Sequence, residues 1–395
     1  MKQLFKDIMH AFKGALFLPH WWTQRLHKRD PYLWTFGAWD GQRYSDNSRA
    51  LFEYILTHYP HIKPVWMTHS QEVVKLLQQK GLPIALCNSK EGIRIQKKAG
   101  YFFATKGYAD ADAHYMNGIR YINLWHGMPL KKIGNDEQLF LRKNTLFKRF
   151  KTLCRRCIVP WEFIQGPTIS SAPFFTPFLQ SAFGLSLSDI WETGLPRIDK
   201  FHNTDTENLI LALNSHFHNP LKVLYMPTHR DTEHSTFNPF RKAGFDEKLF
   251  QQLLEEKNII FLYKGHFYDS SVCNNKISER LLTITDNDYD DLYTFIKDID
   301  ILVTDYSSIY FDFLYLHKPV ILFPFDEQEY IAHSRPFYFD YNLMEAKKVY
   351  SWAELAQAIS NKDYHCPMQS EIERFCATTS QSHCEQIVQH IMKSL

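Results

Sequence analysis

Asp300-Ile-Leu-Val-Thr-Asp-Tyr-Ser-Ser-Ile-Tyr-Phe-Asp-Phe313 contains a change of period that decides how the whole chain is read. From Ile299 to Val303 the residues are apolar except Asp300, the pattern of a buried strand. After Thr304-Asp305-Tyr306-Ser307-Ser308, the apolar residues Ile309, Phe313 and Leu316 recur at helical spacing. The two serines therefore stand where a strand turns into a helix, at the carboxyl edge of a parallel sheet. Backbone N–H groups, the helix dipole and two hydroxyls would converge there on an anion. A serine N-cap without any ligand produces the same local sequence. Lys318-Pro-Val-Ile-Leu-Phe323 supplies the next strand and completes a βαβ unit.

The same grammar runs outward in both directions. Towards the N-terminus, Tyr32–Phe36, Lys63–Met67, Tyr101–Ala104 and Tyr121–Trp125 read as strands, with helices over Ser48–His58 and Gln71–Lys80 between them. Nearer the opening stretch, Leu221–Met226 and Ile259–Lys264 are strands that flank a helix over Phe245–Lys257. Strands alternating with helices predict an α/β chain with doubly wound parallel sheets. At 395 residues there is room for two domains, and Gly194-Leu-Pro-Arg-Ile-Asp199 punctuates the chain between them. The expected divisions are 1–30, 31–193, 194–365 and a C-terminal helical segment, 366–395.

Composition narrows the function classes. The formal net charge of +2 and the lack of any nucleic-acid motif argue against a nucleic-acid partner. The seven cysteines are odd in number and scattered, so they are expected to be reduced thiols in a cytoplasmic protein. No apolar run approaches the roughly 18 residues of a spanning helix, and the N-terminus lacks the pattern of a signal peptide. Residues 1–30 do carry Leu4, Phe5, Ile8, Met9, Phe12, Ala15 and Leu16 at helical spacing beside six basic residues. That is the pattern of an amphipathic segment lying on a membrane surface. From Lys131 to Arg156, nine Lys/Arg face only Asp136 and Glu137, which suits anionic headgroups, an anionic polymer or plain solvent. The acidic run Asp286, Asp288, Asp290 and Asp291 lacks the glycine and terminal glutamate of a calcium loop, so no metal and no cofactor is expected.

Four strand ends would present chemistry on one kind of edge: Trp125-His126-Gly127, Thr228-His229-Arg230-Asp231, Lys264-Gly265-His266 and Asp305-Tyr306-Ser307-Ser308. Histidines, an arginine, a lysine and a serine helix start suit a diphosphate-bearing substrate, because cations neutralise its oxygens and the helix start supplies directional donors.

These segments resemble the motifs of the CDP-glycerol glycerophosphotransferase family, which makes teichoic acids and related capsular polymers. Asn123-Leu-Trp-His-Gly-Met-Pro-Leu-Lys-Lys-Ile-Gly134 is similar to its WHGTPLK segment, with Met128 in place of the usual Thr. Met226–Asp231 resembles PTxRD, Gly194–Asp199 resembles GYPRND, and Asp40–Asn47 resembles a G…YSDN loop. Thr304–Ser308 followed by Phe311-Asp-Phe313 matches TDYSS…DF, whereas Lys264-Gly-His-Phe267 departs from the common KxHP.

The resemblance implies a GT-B fold, two Rossmann-like domains facing a central cleft, with the acceptor on the N-terminal half and the CDP-linked donor on the C-terminal half. The implied reaction transfers glycerol phosphate or ribitol phosphate from CDP-glycerol or CDP-ribitol to a hydroxyl of a lipid-linked saccharide acceptor, releasing CMP. With no room for extra modules, a primer-type enzyme adding few units is expected, at the inner face of the cell membrane. His126 is the candidate general base. His266 and Arg230 would hold the diphosphate and stabilise departing CMP. Lys264, Thr304, Asp305, Ser307 and Ser308 would complete the donor site, and Asp326 would reach the ribose. Asp46, Asn47, Gly127 and Lys131 would lie on the acceptor side. The same architecture also serves nucleotide-sugar glycosyltransferases, and a noncatalytic capsule scaffold would keep the fold while losing these side chains.

Overall fold

A computed structural model describes residues 2–141, 146–230, 237–265, 278–377 and 381–393. Its contacts divide the chain into two compact units. The first comprises Met1–His126, Gly134–Asp199 and Thr379–Leu395, and the second Gly127–Ile133 and Lys200–Thr378. The division thus falls after Asp199 rather than at 193/194, and the C-terminal segment is shared. Asp199 explains the return of the chain to the first unit. Its carboxylate accepts from Ser382 Oγ (2.6 Å), His383 N (2.9 Å) and Cys384 N (2.9 Å), at the start of the helix His383–Met392.

Among the described residues, the first unit holds seven parallel strands: β1 (Asp30–Gly37), β2 (Lys63–Thr68), β3 (Ile84–Leu86), β4 (Ala99–Ala104), β5 (Arg120–Asn123), β6 (Thr168–Ile169) and β7 (Ile190–Trp191). They are ordered β3-β2-β1-β4-β5-β6-β7. The sequence reading misses β3, β6 and β7, because two or three residues show no period. Trp34 and Phe36 leave one face of β1 at period two and are wholly buried. Phe36 stacks on Phe103 at 4.6 Å and meets Phe52 edge-on at 5.6 Å, which fixes the helix Asp46–His58 over the sheet. Arg29 pins the other end of the strands by donating to the carbonyls of Gln96 (2.7 Å), Ala99 (3.2 Å), Tyr115 (3.4 Å) and Asn117 (2.6 Å).

The second unit's strands are β8 (Leu221–Met226), β9 (Ile259–Tyr263), β10 (Leu281–Thr283), β11 (Ile301–Thr304), β12 (Val320–Leu322) and β13 (Lys347–Lys348), all parallel and ordered β10-β9-β8-β11-β12-β13. The expected strand–turn–helix around Ser307 is present, with β11 leading into the helix Ile309–Phe313. Beneath the sheet, Trp352 is surrounded by Tyr225, Phe240, Phe245, Phe250, Phe261 and Phe323, with ring centroids 4.9–5.9 Å away. Its indole N–H is satisfied by Pro239 O at 3.1 Å. Removing that ring opens a cavity lined by six phenylalanine and tyrosine rings and leaves the Pro239 carbonyl with Lys242 N (3.1 Å) as its remaining donor. Trp352→Ala should lower unfolding stability by about 3–5 kcal/mol, read as a fall in the urea midpoint of the second unit.

Candidate functional site

In an open parallel sheet the ligand crevice lies at the carboxyl edge where strand order reverses. For the first sheet that point lies between β1 and β4, which are neighbours although two strands separate them in sequence. The loops after β1, β4 and β5 meet there. Asp110, wholly buried, draws in two of them: its carboxylate accepts from Thr105 N (2.8 Å), Lys106 N (2.8 Å) and Asp40 N (2.7 Å). Burial pushes this carboxyl up, against the pull of those donors.

His126 comes from the loop after β5. Its Nδ1 lies 2.9 Å from the Thr105 carbonyl. A carbonyl only accepts, so Nδ1 carries the proton and Nε2 is left with a lone pair. Burial lowers the imidazole pKa below its ordinary 6.5, opposed by the Thr105 bond and by Asp46. Behind it, Arg197 donates to Asp46 Oδ1 (2.6 Å) and to His126 O (3.0 Å) and is almost wholly buried. Asn47 donates to the carbonyls of Leu124 (2.8 Å) and Trp125 (3.0 Å) and accepts from Arg197 N (3.2 Å). Asp46 and Asn47 were expected on the acceptor side. They do lie beside His126, but Asn47 is fully buried with its amide committed to the His126 loop, and the Asp46 carboxylate is held by Arg197 and Trp39. Arg197 was read only as part of a motif; that motif is the signal that could have given it a role.

The second sheet reverses order between β8 and β11, again with a buried carboxylate at the junction. Asp305 Oδ1 accepts from Thr228 N (2.8 Å) and Tyr306 N (2.5 Å), and Oδ2 from Arg230 (2.8 Å). Arg230 also grips Asp326 through Nε (2.7 Å) and Nη2 (3.0 Å), and its Nη1 donates to Thr228 O at 2.6 Å. Its guanidinium lies among Tyr330 (4.7 Å), Phe237 (4.9 Å) and Tyr306 (5.3 Å). Arg230 and Asp326, expected on the diphosphate and the ribose, are therefore paired with each other. With Asp305 they form a buried triad that shapes the loops after β8 and β11. Thr304 is likewise internal, its hydroxyl donating to Met226 O at 2.7 Å.

Ser307 and Ser308 remain half-exposed at the start of the helix, and the Ser308 hydroxyl caps no backbone N–H of it. Lys264 directly follows β9, with its ammonium 2.7 Å from Asp286, so part of the acidic run holds a lysine. Asp291 from the same run caps the helix Leu292–Ile296. Among the described residues, no group of three His, Cys, Asp or Glu stands together as a metal site. Gly127 (φ 146°) and Lys131 belong to the second unit rather than the first. Lys131 Nζ donates to the Tyr330 hydroxyl (2.8 Å), and its backbone bridges to Phe337. His266 lies outside the described residues, as does Asp231.

Residues 21–393 match the family described as CDP-glycerol:poly(glycerophosphate) glycerophosphotransferase. A teichoic acid glycerol-phosphate transferase of Staphylococcus aureus is 29% identical over 314 residues, 78% of this chain and 77% of that protein. A teichoic acid poly(glycerol phosphate) polymerase of Bacillus subtilis is 26% identical over 91% of this chain, which spans only 48% of the polymerase. Among solved structures, the wall teichoic acid polymerase TagF superposes over 100% of this chain and 98% of its own, at a TM-score of 0.74 and 22% identity. A UDP-N-acetylglucosamine 2-epimerase from Listeria monocytogenes follows the same fold at a TM-score of 0.53 over 92% of this chain. The fold class is GT-B, each unit a Rossmann-like parallel sheet.

The triad in the second unit has a measurable consequence. Arg230→Ala strands two buried carboxylates, and should cost about 3–5 kcal/mol in the free protein. Thermal or urea unfolding without any nucleotide checks it, since a residue that touched only substrate would leave that stability unchanged.

Proposed function

Because the chain belongs to the CDP-glycerol:poly(glycerophosphate) glycerophosphotransferase family, we propose that it transfers glycerol phosphate from CDP-glycerol to a hydroxyl of a lipid-linked saccharide, with His126 as the general base. The observation that carries the role of His126 is the 2.9 Å bond from Nδ1 to the Thr105 carbonyl. It leaves Nε2 unprotonated in an imidazole that burial keeps neutral at physiological pH. The acceptor hydroxyl gives its proton to Nε2 while its oxygen attacks the phosphorus that bears the glycerol. The bond from that phosphorus to the bridging oxygen breaks, and CMP departs with the electron pair.

On the donor side, Ser307 and Ser308 supply hydroxyl donors to the diphosphate, Lys264 supplies positive charge, and His266 is retained as a further partner for the leaving phosphate. Arg230, Asp305 and Asp326 act on these groups by fixing the loops that carry them. Glycerol is favoured over ribitol because the relatives matched over most of this chain are named for glycerol phosphate.

The lipid-linked acceptor brings the N-terminal helix, Lys2–Thr23, into the proposal. Phe12 and Leu16 are exposed along one side of it, Leu26 just beyond is 85% exposed, and Lys13, Arg25 and Lys28 stand exposed among them. Apolar side chains beside lysine and arginine suit an anionic bilayer surface, where each basic residue contributes about 1 kcal/mol. Among the described residues, no helix is long and apolar enough to cross a membrane.

His126→Ala should keep its nucleotide-induced rise in melting temperature while transfer, followed as CMP release from CDP-glycerol, falls by about two to four orders of magnitude. Near-normal turnover would remove the base assignment. A base acts when neutral, so kcat/KM of the wild type should fall as pH drops through an apparent pKa below 6.5, and the variant should lose that limb. For the membrane contact, the double substitution Phe12→Ser with Leu16→Ser should reduce co-sedimentation with anionic liposomes at an unchanged melting temperature. Equal sedimentation of the two proteins would leave this helix as an ordinary exposed surface.

A further inference from the structure

Beside His126 lies a side chain that the reaction described above does not use. Trp39, Asp40 and Gly41 have φ of 51°, 56° and 68°, a left-handed turn in which only the glycine is at ease. The surroundings over-determine this strained turn. Asp40 N donates to Asp110 (2.7 Å), and Gly41 O accepts from His69 N (2.8 Å) and Thr68 Oγ1 (2.6 Å). The turn holds the Trp39 indole 5.4 Å from the His126 ring, centroid to centroid, and tilted by 48°. Its N–H is committed to Asp46 Oδ2 at 3.2 Å, the carboxylate that also pairs with Arg197. Trp39 is nonetheless half-exposed. With its only polar side-chain atom engaged, the rest of the ring is flat carbon surface next to the base.

We propose that Trp39 is a specificity-determining residue: its indole is the stacking wall for a pyranose ring of the acceptor, holding that sugar's hydroxyl within reach of His126 Nε2. The C–H faces of a pyranose match a flat aromatic surface, while its hydroxyls stay free for polar groups around the rim. Strain kept at a site loop by several independent hydrogen bonds is the mark of a functional constraint rather than of packing. The proposal deepens the reading of His126 as the base and rests on it. It gives the acceptor subsite a chemical class: a ring-bearing saccharide rather than an acyclic polyol phosphate.

Two substitutions separate the aromatic face from the hydrogen bond. Both Trp39→Phe and Trp39→Leu lose the N–H to Asp46, and only the first keeps a flat ring. Full-length protein would be assayed with CDP-glycerol and a disaccharide carried on a short alkyl chain. For Trp39→Leu, the acceptor KM should rise roughly tenfold, with kcat and the acid limb of the pH profile as in wild type. Trp39→Phe should keep KM within roughly threefold of wild type. An unchanged KM in Trp39→Leu overturns the stacking wall. A fall in kcat with a displaced acid limb, equal in both variants, also overturns it and makes Trp39 a positioning residue that acts through Asp46. His126→Ala, measured alongside, keeps the two readings apart. Turnover surviving in that variant refutes the base, whereas a KM effect confined to Trp39→Leu stands whichever group takes the proton.

Discussion

A buried carboxylate that gathers backbone N–H groups holds the loops at the switch point of each sheet. In the first unit it is Asp110, which ties the start of the loop after β4 to Asp40 in the loop after β1. In the second it is Asp305, which ties Thr228 after β8 to Tyr306 after β11 and takes Arg230 as its counter-ion. The physical logic is the same in both. At the point where strand order reverses, two neighbouring loops diverge and leave amides without sheet partners, and an unpaired buried amide is expensive. A carboxylate with two acceptor oxygens satisfies several of them at once and fixes the spacing of the two loops.

The two units compensate the buried charge differently, and the difference bears on function. Asp305 and Asp326 share one guanidinium enclosed by three aromatic rings, so the second unit meets its buried carboxylates with a cation next to the Ser307–Ser308 turn. Asp110 has no cation on it among the described contacts and is held by backbone dipoles, with burial pushing its pKa up. Its effect reaches His126 through Thr105. The amide of Thr105 is held by Asp110, so its carbonyl is fixed where it takes the Nδ1 proton of His126. A tautomer is thereby chosen by a backbone group, which does not titrate, and Nε2 stays the ring nitrogen with the lone pair as pH changes above the imidazole pKa.

Much of the fold was legible before any coordinates. Near-continuous apolar runs at Leu221–Met226 and Ile259–Tyr263, and the switch to helical spacing after Thr304, are local properties, so composition and spacing report them directly. The short edge strands were not legible, because two residues such as Thr168 and Ile169 become a strand only when a neighbour supplies their hydrogen bonds. The same holds for the C-terminal helix, which is tied to the first unit by Asp199 at its start and by Tyr54 and Tyr59 on Glu385, partners nearly two hundred residues or more away in sequence.

The site divides along the same line. Sequence by itself determined the family and placed His126, Ser307 and Ser308 just past strand ends, because motif spacing survives without knowledge of partners. Only the tertiary structure decided what each charged group does. Arg230 and Asp326 lie almost a hundred residues apart, and nothing local shows that they neutralise one another. The left-handed turn that brings Trp39 to His126 was hinted at only by the dipeptide Asp40-Gly41. Ion pairs, tautomers and ring contacts are relations between distant residues, so they exist only once the chain has closed on itself.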